Sequence, residues 1–203
     1  MHVNVPLTQP ENKEEIKQEA VKIELFTDID SVLWAKDAIL SLADKKVING
    51  KEAGKFYPND NVLREEFTKM IVLAFNIGEV AVENNFNDVD DGMWYADFIK
   101  KAYGAGIVKG YDEDTFGIGE KITREDMALM IYRGAEICGY SFETDFERSE
   151  FADDANIADY AKESIYILEN AGIINGTGEN NFSPKQNATR AQAAKMIYGI
   201  INR

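Results

Sequence analysis

Phe26-Thr27-Asp28-Ile29-Asp30 returns as Phe86-Asn87-Asp88-Val89-Asp90 and again as Phe151-Ala152-Asp153-Asp154, at steps of 60 and 65 residues. Arg64, Arg124 and Arg190 follow at steps of 60 and 66. A period of this length means that one supersecondary unit is used three times. Any site is then expected in up to three versions.

Outward from the opening motif, each unit has the same grammar. A first amphipathic helix is expected over about 31–45, 93–104 and 157–171, with apolar residues at helical spacing. Trp34, Trp94 and Tyr160 each stand 16 residues before a glycine: Gly50, Gly110 and Gly176. That glycine closes a short apolar stretch (Val47-Ile48-Asn49-Gly50 in the first unit), a turn signal expected to need φ > 0. Phe56, Phe116 and Phe182 come 6 residues after the glycine, and the arginine 14 after it. A second helix starts at each arginine. Thr123 and Thr189 are N-cap candidates, Gln192 completes a capping box with Thr189, and Leu63 at the matching position cannot cap. No alternating strand pattern of useful length appears. The expected class is all-α, a helix-loop-helix unit used three times over about 25–80, 85–140 and 150–203. Residues 1–24, with Pro6, Pro10 and a charged run, read as a tail or linker.

Composition excludes several functions. The chain of 203 residues has 45% hydrophobic and 29% charged residues, the balance of a folded protein. Its net charge of −14 argues against nucleic acid and anionic membranes, both of which reward a basic face. A single histidine, His2, and a single cysteine, Cys138, leave no Ser-His-Asp triad, Cys-His pair, histidine zinc site or intrachain disulfide. Cys138 reads as a small core residue of a helix. No apolar run reaches 18 residues, so no membrane-spanning helix is expected. Met1-His2-Val3-Asn4 does not open a signal peptide, which suggests either an intracellular protein or a piece of a larger secreted one.

The ordered motifs Phe26-Thr-Asp28, Trp34-Ala35, Ala171-Gly-Ile-Ile-Asn-Gly176, Phe182-Ser-Pro184, Ile122-Thr-Arg-Glu-Asp126 and Thr189-Arg-Ala-Gln192 resemble the surface-layer-homology repeat. The resemblance spans about 25–203. It implies one pseudo-threefold domain with a central three-helix bundle and three outer prongs. It also implies grooves that bind secondary cell-wall polysaccharide, often through a pyruvylated terminal sugar. The implied role is non-covalent anchoring of a larger surface protein, outside the cell, at the wall or S-layer of a Gram-positive-type bacterium. No cofactor and no metal are implied.

The residues agree with that expectation at the arginines. Arg64, Arg124 and Arg190 open helices, where free backbone N–H groups and the helix dipole favour an anion. A guanidinium fork matches a carboxylate two-pronged. Asp28, Asp88 and Asp153 precede the first helices, placed either to bond turn amides or to accept from sugar hydroxyls. Trp34, Trp94 and Tyr160 suit either the core or a sugar face. Gly50, Gly110 and Gly176 suit a tight turn and also let a ligand approach the backbone. The units depart from the family pattern at Leu63, Tyr160 and Gln192, and the second departs least. One or two grooves are therefore expected to bind.

Three rival readings are weaker. Acidic pairs such as Asp90-Asp91 lie at helix starts, where the dipole explains them, so an enzyme is not expected. Asp112-Glu113-Asp114 opens like a calcium loop, but Phe116 stands where an oxygen ligand is needed and Thr123 where a bidentate Glu is needed. A protein-docking adaptor without glycan binding is the remaining alternative.

Overall fold

The computed structural model describes residues 25–203 apart from 81, 84, 148 and 149. The tail expected over 1–24 lies outside the described residues. Six α-helices follow in pairs: α1 (Leu33–Asp44) and α2 (Arg64–Ala74), α3 (Ala96–Gly104) and α4 (Arg124–Ile137), α5 (Asp159–Asn170) and α6 (Arg190–Ile201). Short 3-10 turns at Ile29–Val32 and Asp154–Asn156 precede α1 and α5. Among the described residues the only β-type pairings are isolated bridges. The chain is all-α, as the sequence predicts.

The second helices start at the three arginines. Thr123 Oγ1 accepts the Asp126 N–H at 3.2 Å, and Thr189 Oγ1 and Gln192 Oε1 complete the reciprocal box at 3.3 and 3.0 Å. Leu63 offers no acceptor, and only the returning half of the box forms, from the Leu63 N–H to Glu66 Oε2 at 3.0 Å. The first helices end alike. Val47, Ile107 and Ile173 donate to the carbonyls of Leu42, Ala102 and Leu168 at 2.8–2.9 Å, and Lys46, Gly106 and Gly172 turn through positive φ. The helix expected from 93 starts at Ala96 because Asp90 holds Gly92 and Met93 in a turn first. Cys138 is exposed rather than core, since α4 ends at Ile137 and the thiol stands on its cap.

Three central helices, α2, α4 and α6, contact one another, and each carries one outer helix. The pairing crosses repeat boundaries: α3 packs on α2, α5 on α4, and α1 on α6. The last pair closes the ring. At its hub the backbone does the same. Val62 donates to the Ala188 carbonyl at 3.1 Å, Ala188 to Ile122 at 2.9 Å, and Ile122 back to Val62 at 3.1 Å. All three residues are fully buried, so these bonds are shielded from water. The opening phenylalanine of each unit packs on the loop phenylalanine of the same unit, with centroids 5.4–5.8 Å apart for Phe26–Phe56, Phe86–Phe116 and Phe151–Phe182.

Candidate functional site

The ring creates three equivalent clefts, each assembled from three repeats. The first is lined by loop 47–51, Glu66, Lys69 and Met70 of α2, Trp94 of the second repeat and Arg190 of the third. The middle one is lined by loop 107–111, Asp126, Leu129, Met130 and Arg133 of α4, with Tyr160 and Arg64. The third has loop 173–177, Gln192, Lys195 and Met196 of α6, with Trp34 and Arg124. Their volumes are about 250, 390 and 580 Å³.

The arginines are deeply set, 4–6% exposed. Arg124 donates from Nε to the Phe182 carbonyl at 2.9 Å and from Nη2 to Asn175 at 3.1 Å. Arg190 repeats this on Phe56 and Asn49, at 3.0 and 2.7 Å. Each guanidinium lies over the ring of the phenylalanine it bonds, at 4.8 and 4.6 Å. Burial pulls both groups below the usual arginine range, Arg124 to about 10, which leaves Arg124 charged near neutrality. Arg64 departs from this pattern. It sits 5.2 Å over Phe116 and 4.7 Å over Tyr111, its Nη1 is 3.8 Å from Asp126, and its buried Nε has no acceptor.

The first helix-start amide that the sequence reading offers to an anion is already taken in all three units, and the second in α4 and α6. Arg64, Arg124 and Arg190 donate their backbone N–H groups to Glu120, Gln186 and Asp60 at 2.8–2.9 Å, and Glu125 and Ala191 donate to Pro184 and Pro58. Positive character at these sites comes from side chains, not from open helix ends. The first and middle clefts each carry three cations against one acid, and the third carries two cations and no acid. This stands out on a chain of net charge −14.

The structure brings Arg64, Arg124, Arg190, Trp34, Trp94, Tyr160, Gly50, Gly110 and Gly176 to the clefts. The aromatic residues are 49–57% exposed, on the cleft walls rather than in the core. Of the three glycines only Gly110 has positive φ, 77°, against the expectation for all three. Gly50 and Gly176 are required by crowding instead: a Cβ there would stand 2.5 Å from the Lys55 carbonyl and 2.7 Å from that of Asn181. Asp28, Asp88 and Asp153 do not line the clefts. Each clamps its own repeat's loop: Asp28 accepts from Phe56 and Tyr57 at 2.9 and 2.8 Å, and Asp153 from Phe182 and Ser183 at 2.8 Å. Asp88 accepts from Phe116, Gly117 and Ile118 at 2.7–2.9 Å. Burial raises the Asp28 and Asp88 carboxyls, but these amides outweigh it and hold both below the usual carboxylate range.

Sequence reading missed the cleft residues on the central helices. Met70, Met130 and Met196 recur 6 residues after each arginine, and Glu66, Asp126 and Gln192 recur 2 after it. Those recurrences were the available signal, read only as core and caps. Glu125 was also missed. It is buried, takes the Ala158 N–H at 3.0 Å and the Tyr160 hydroxyl at 3.2 Å, and pairs with Lys185, fastening the third repeat to the second.

The repeats close into a ring with a cationic, aromatic-walled cleft at each junction. The sequence profile of the S-layer homology domain matches residues 25–68, 85–128 and 150–194. The chain belongs to the S-layer homology domain family. It is 39% identical over 178 residues to an amylopullulanase of Thermoanaerobacterium thermosulfurigenes, covering 88% of this chain and 10% of that protein. It is 40% identical over 178 residues to the exoglucanase XynX of Acetivibrio thermocellus, covering 88% and 16%. It is 30% identical over 167 residues to the surface-layer 125 kDa protein of Lysinibacillus sphaericus, covering 81% and 14%. The chain therefore spans less than a fifth of the length of these relatives.

Proposed function

We propose that this chain holds a larger surface protein at the bacterial cell wall by binding secondary cell-wall polysaccharide in its inter-repeat clefts. The bound feature is an acidic terminal sugar, with a pyruvate ketal as the carboxylate donor. The observation that carries this reading is a buried guanidinium beside a half-exposed aromatic in each cleft of an acidic protein. The aromatic supplies a face for a sugar ring, and the guanidinium supplies charge-assisted bonds to a carboxylate. The role is non-catalytic, and the place is extracellular, at the wall or S-layer of a Gram-positive-type bacterium. Residues 25–203 act as one domain. Relatives named as surface-layer proteins and as large glycan-degrading enzymes support a shared attachment module.

Retention on purified wall polysaccharide tests this, with and without chemical removal of the ketals. Retention that disappears with the ketals supports the reading. Retention unchanged by their removal overturns the carboxylate assignment, and no retention at all favours a protein-docking role.

A further inference from the structure

The middle cleft differs from the other two at several places, and three of them bear on its arginines. After the loop glycine, where the first and third repeats have Lys51 and Thr177, the second has Tyr111. Nine residues past the helix-starting arginine, in place of Leu73 and Gly199, it has Arg133. Its deep arginine, Arg64, is not bonded to loop carbonyls as Arg124 and Arg190 are, and keeps a buried Nε without an acceptor.

These differences leave the net charge of the cleft equal to that of the first but gather it on guanidinium groups: Tyr111 and Leu129 stand in place of Lys51 and Lys69, and Arg133 in place of Leu73. Arg64 and Arg133 line the same cleft, and Arg133 has only a 3.4 Å bond to the Ile107 carbonyl. Burial lowers the Arg133 proton affinity and the Arg64 charge lowers it further, so the two cations feel each other. The acid lining that cleft, Asp126, is 3.8 Å from Arg64 and already accepts the Tyr160 hydroxyl at 2.9 Å. An unpaired buried donor is costly, so the Arg64 side chain is poised for an acceptor. One fork suits one carboxylate; two neighbouring forks suit an anion with three oxygens and two charges.

We propose that the middle cleft is a site of separate specificity, which takes a sugar bearing a phosphate-class dianion between Arg64 and Arg133, with Tyr111 and Tyr160 as walls. The first and third clefts take the monocarboxylate sugar. This rests on reading the clefts as anionic-saccharide sites.

The test uses the intact chain and its aromatic signals. Its two tryptophans, Trp34 and Trp94, stand in the third and first clefts, and Tyr111 and Tyr160 in the middle one. Inorganic phosphate is titrated at about pH 8, where it is a dianion, beside pyruvate at matched ionic strength. The tyrosine ring resonances should shift and saturate with phosphate at about a tenth of the pyruvate concentration, while the indole N–H signals stay put. Arg133→Leu should weaken phosphate binding about tenfold, with the indole N–H response to pyruvate in the other two clefts unchanged. Arg133→Gln, which keeps a donor for Ile107, should behave alike with parental indole shifts, separating lost charge from lost structure. Phosphate that moves indoles and tyrosines together, or binds both variants as it binds the parent, is an adventitious ion only and overturns the proposal. If the parent fails to bind wall polysaccharide while its tyrosines still saturate with phosphate, the anchoring reading falls and this one stands.

Discussion

Arg124 donates its Nε–H to the Phe182 carbonyl at 2.9 Å and lays its guanidinium over that residue's ring. The contact joins the second repeat to the third, and Arg190 joins the third to the first in the same way on Phe56. The arginine is therefore both a rivet between repeats and a wall of a cleft.

Replacing it tests both roles. Arg124→Ala strands the Phe182 and Asn175 carbonyls and leaves a cavity. A loss of about 3 kcal/mol is expected, which for a chain of this size lowers the melting midpoint by about 6–12 °C. Calorimetry checks this, and an unchanged midpoint means the two bonds carry no stability.

Trp34→Ala should separate binding from folding. The indole is 53% exposed and lies in the third cleft with Arg124. Surface changes of this kind stay within about 0.5 kcal/mol. Affinity for wall polysaccharide should drop about tenfold with the melting midpoint nearly constant; a large stability loss would place the indole in the core.

The loop clamps set the acid limit. The backbone amides around them hold the Asp28 and Asp88 carboxyls below the usual carboxylate range in the folded chain. A depressed folded value contributes stability that is present above the unfolded value and lost as pH falls through the folded one. Stability should therefore decline as pH drops below about 4, and Asp88→Ala should flatten that decline while costing about 2 kcal/mol near neutrality. A parent-like acid limb in the variant would contradict the clamp.

Glu65 carries the opposite sign. It is buried, and burial raises its carboxyl above the usual carboxylate range despite the Gly119 amide at 3.2 Å. A raised folded value favours the protonated chain, so ionised Glu65 opposes folding at neutral pH. Glu65→Gln should melt higher than the parent near pH 7, and the difference should vanish near pH 4. Equal midpoints at both pH values would rule this out.

Helix starts were legible because capping chemistry is local: Thr123, Thr189 and Gln192 act within three residues of themselves. The aspartates were not, since Asp28 meets its partner 28 residues away at Phe56, and nothing in its own motif separates a turn amide from a sugar hydroxyl. The clefts were half legible. Arginine, aromatic and glycine recur at fixed spacing, but which repeat lends each wall depends on α1 packing on α6. Arg64 shows the limit most sharply. Its spacing matches its counterparts, and its different seat accompanies Tyr111, which belongs to another repeat.

The seam between α1 and α6 also decides how the module carries load. Tension entering near residue 25 and tension entering near residue 203 arrive at neighbouring helices instead of opposite poles. A pull applied between those two points would load the α1–α6 surfaces directly.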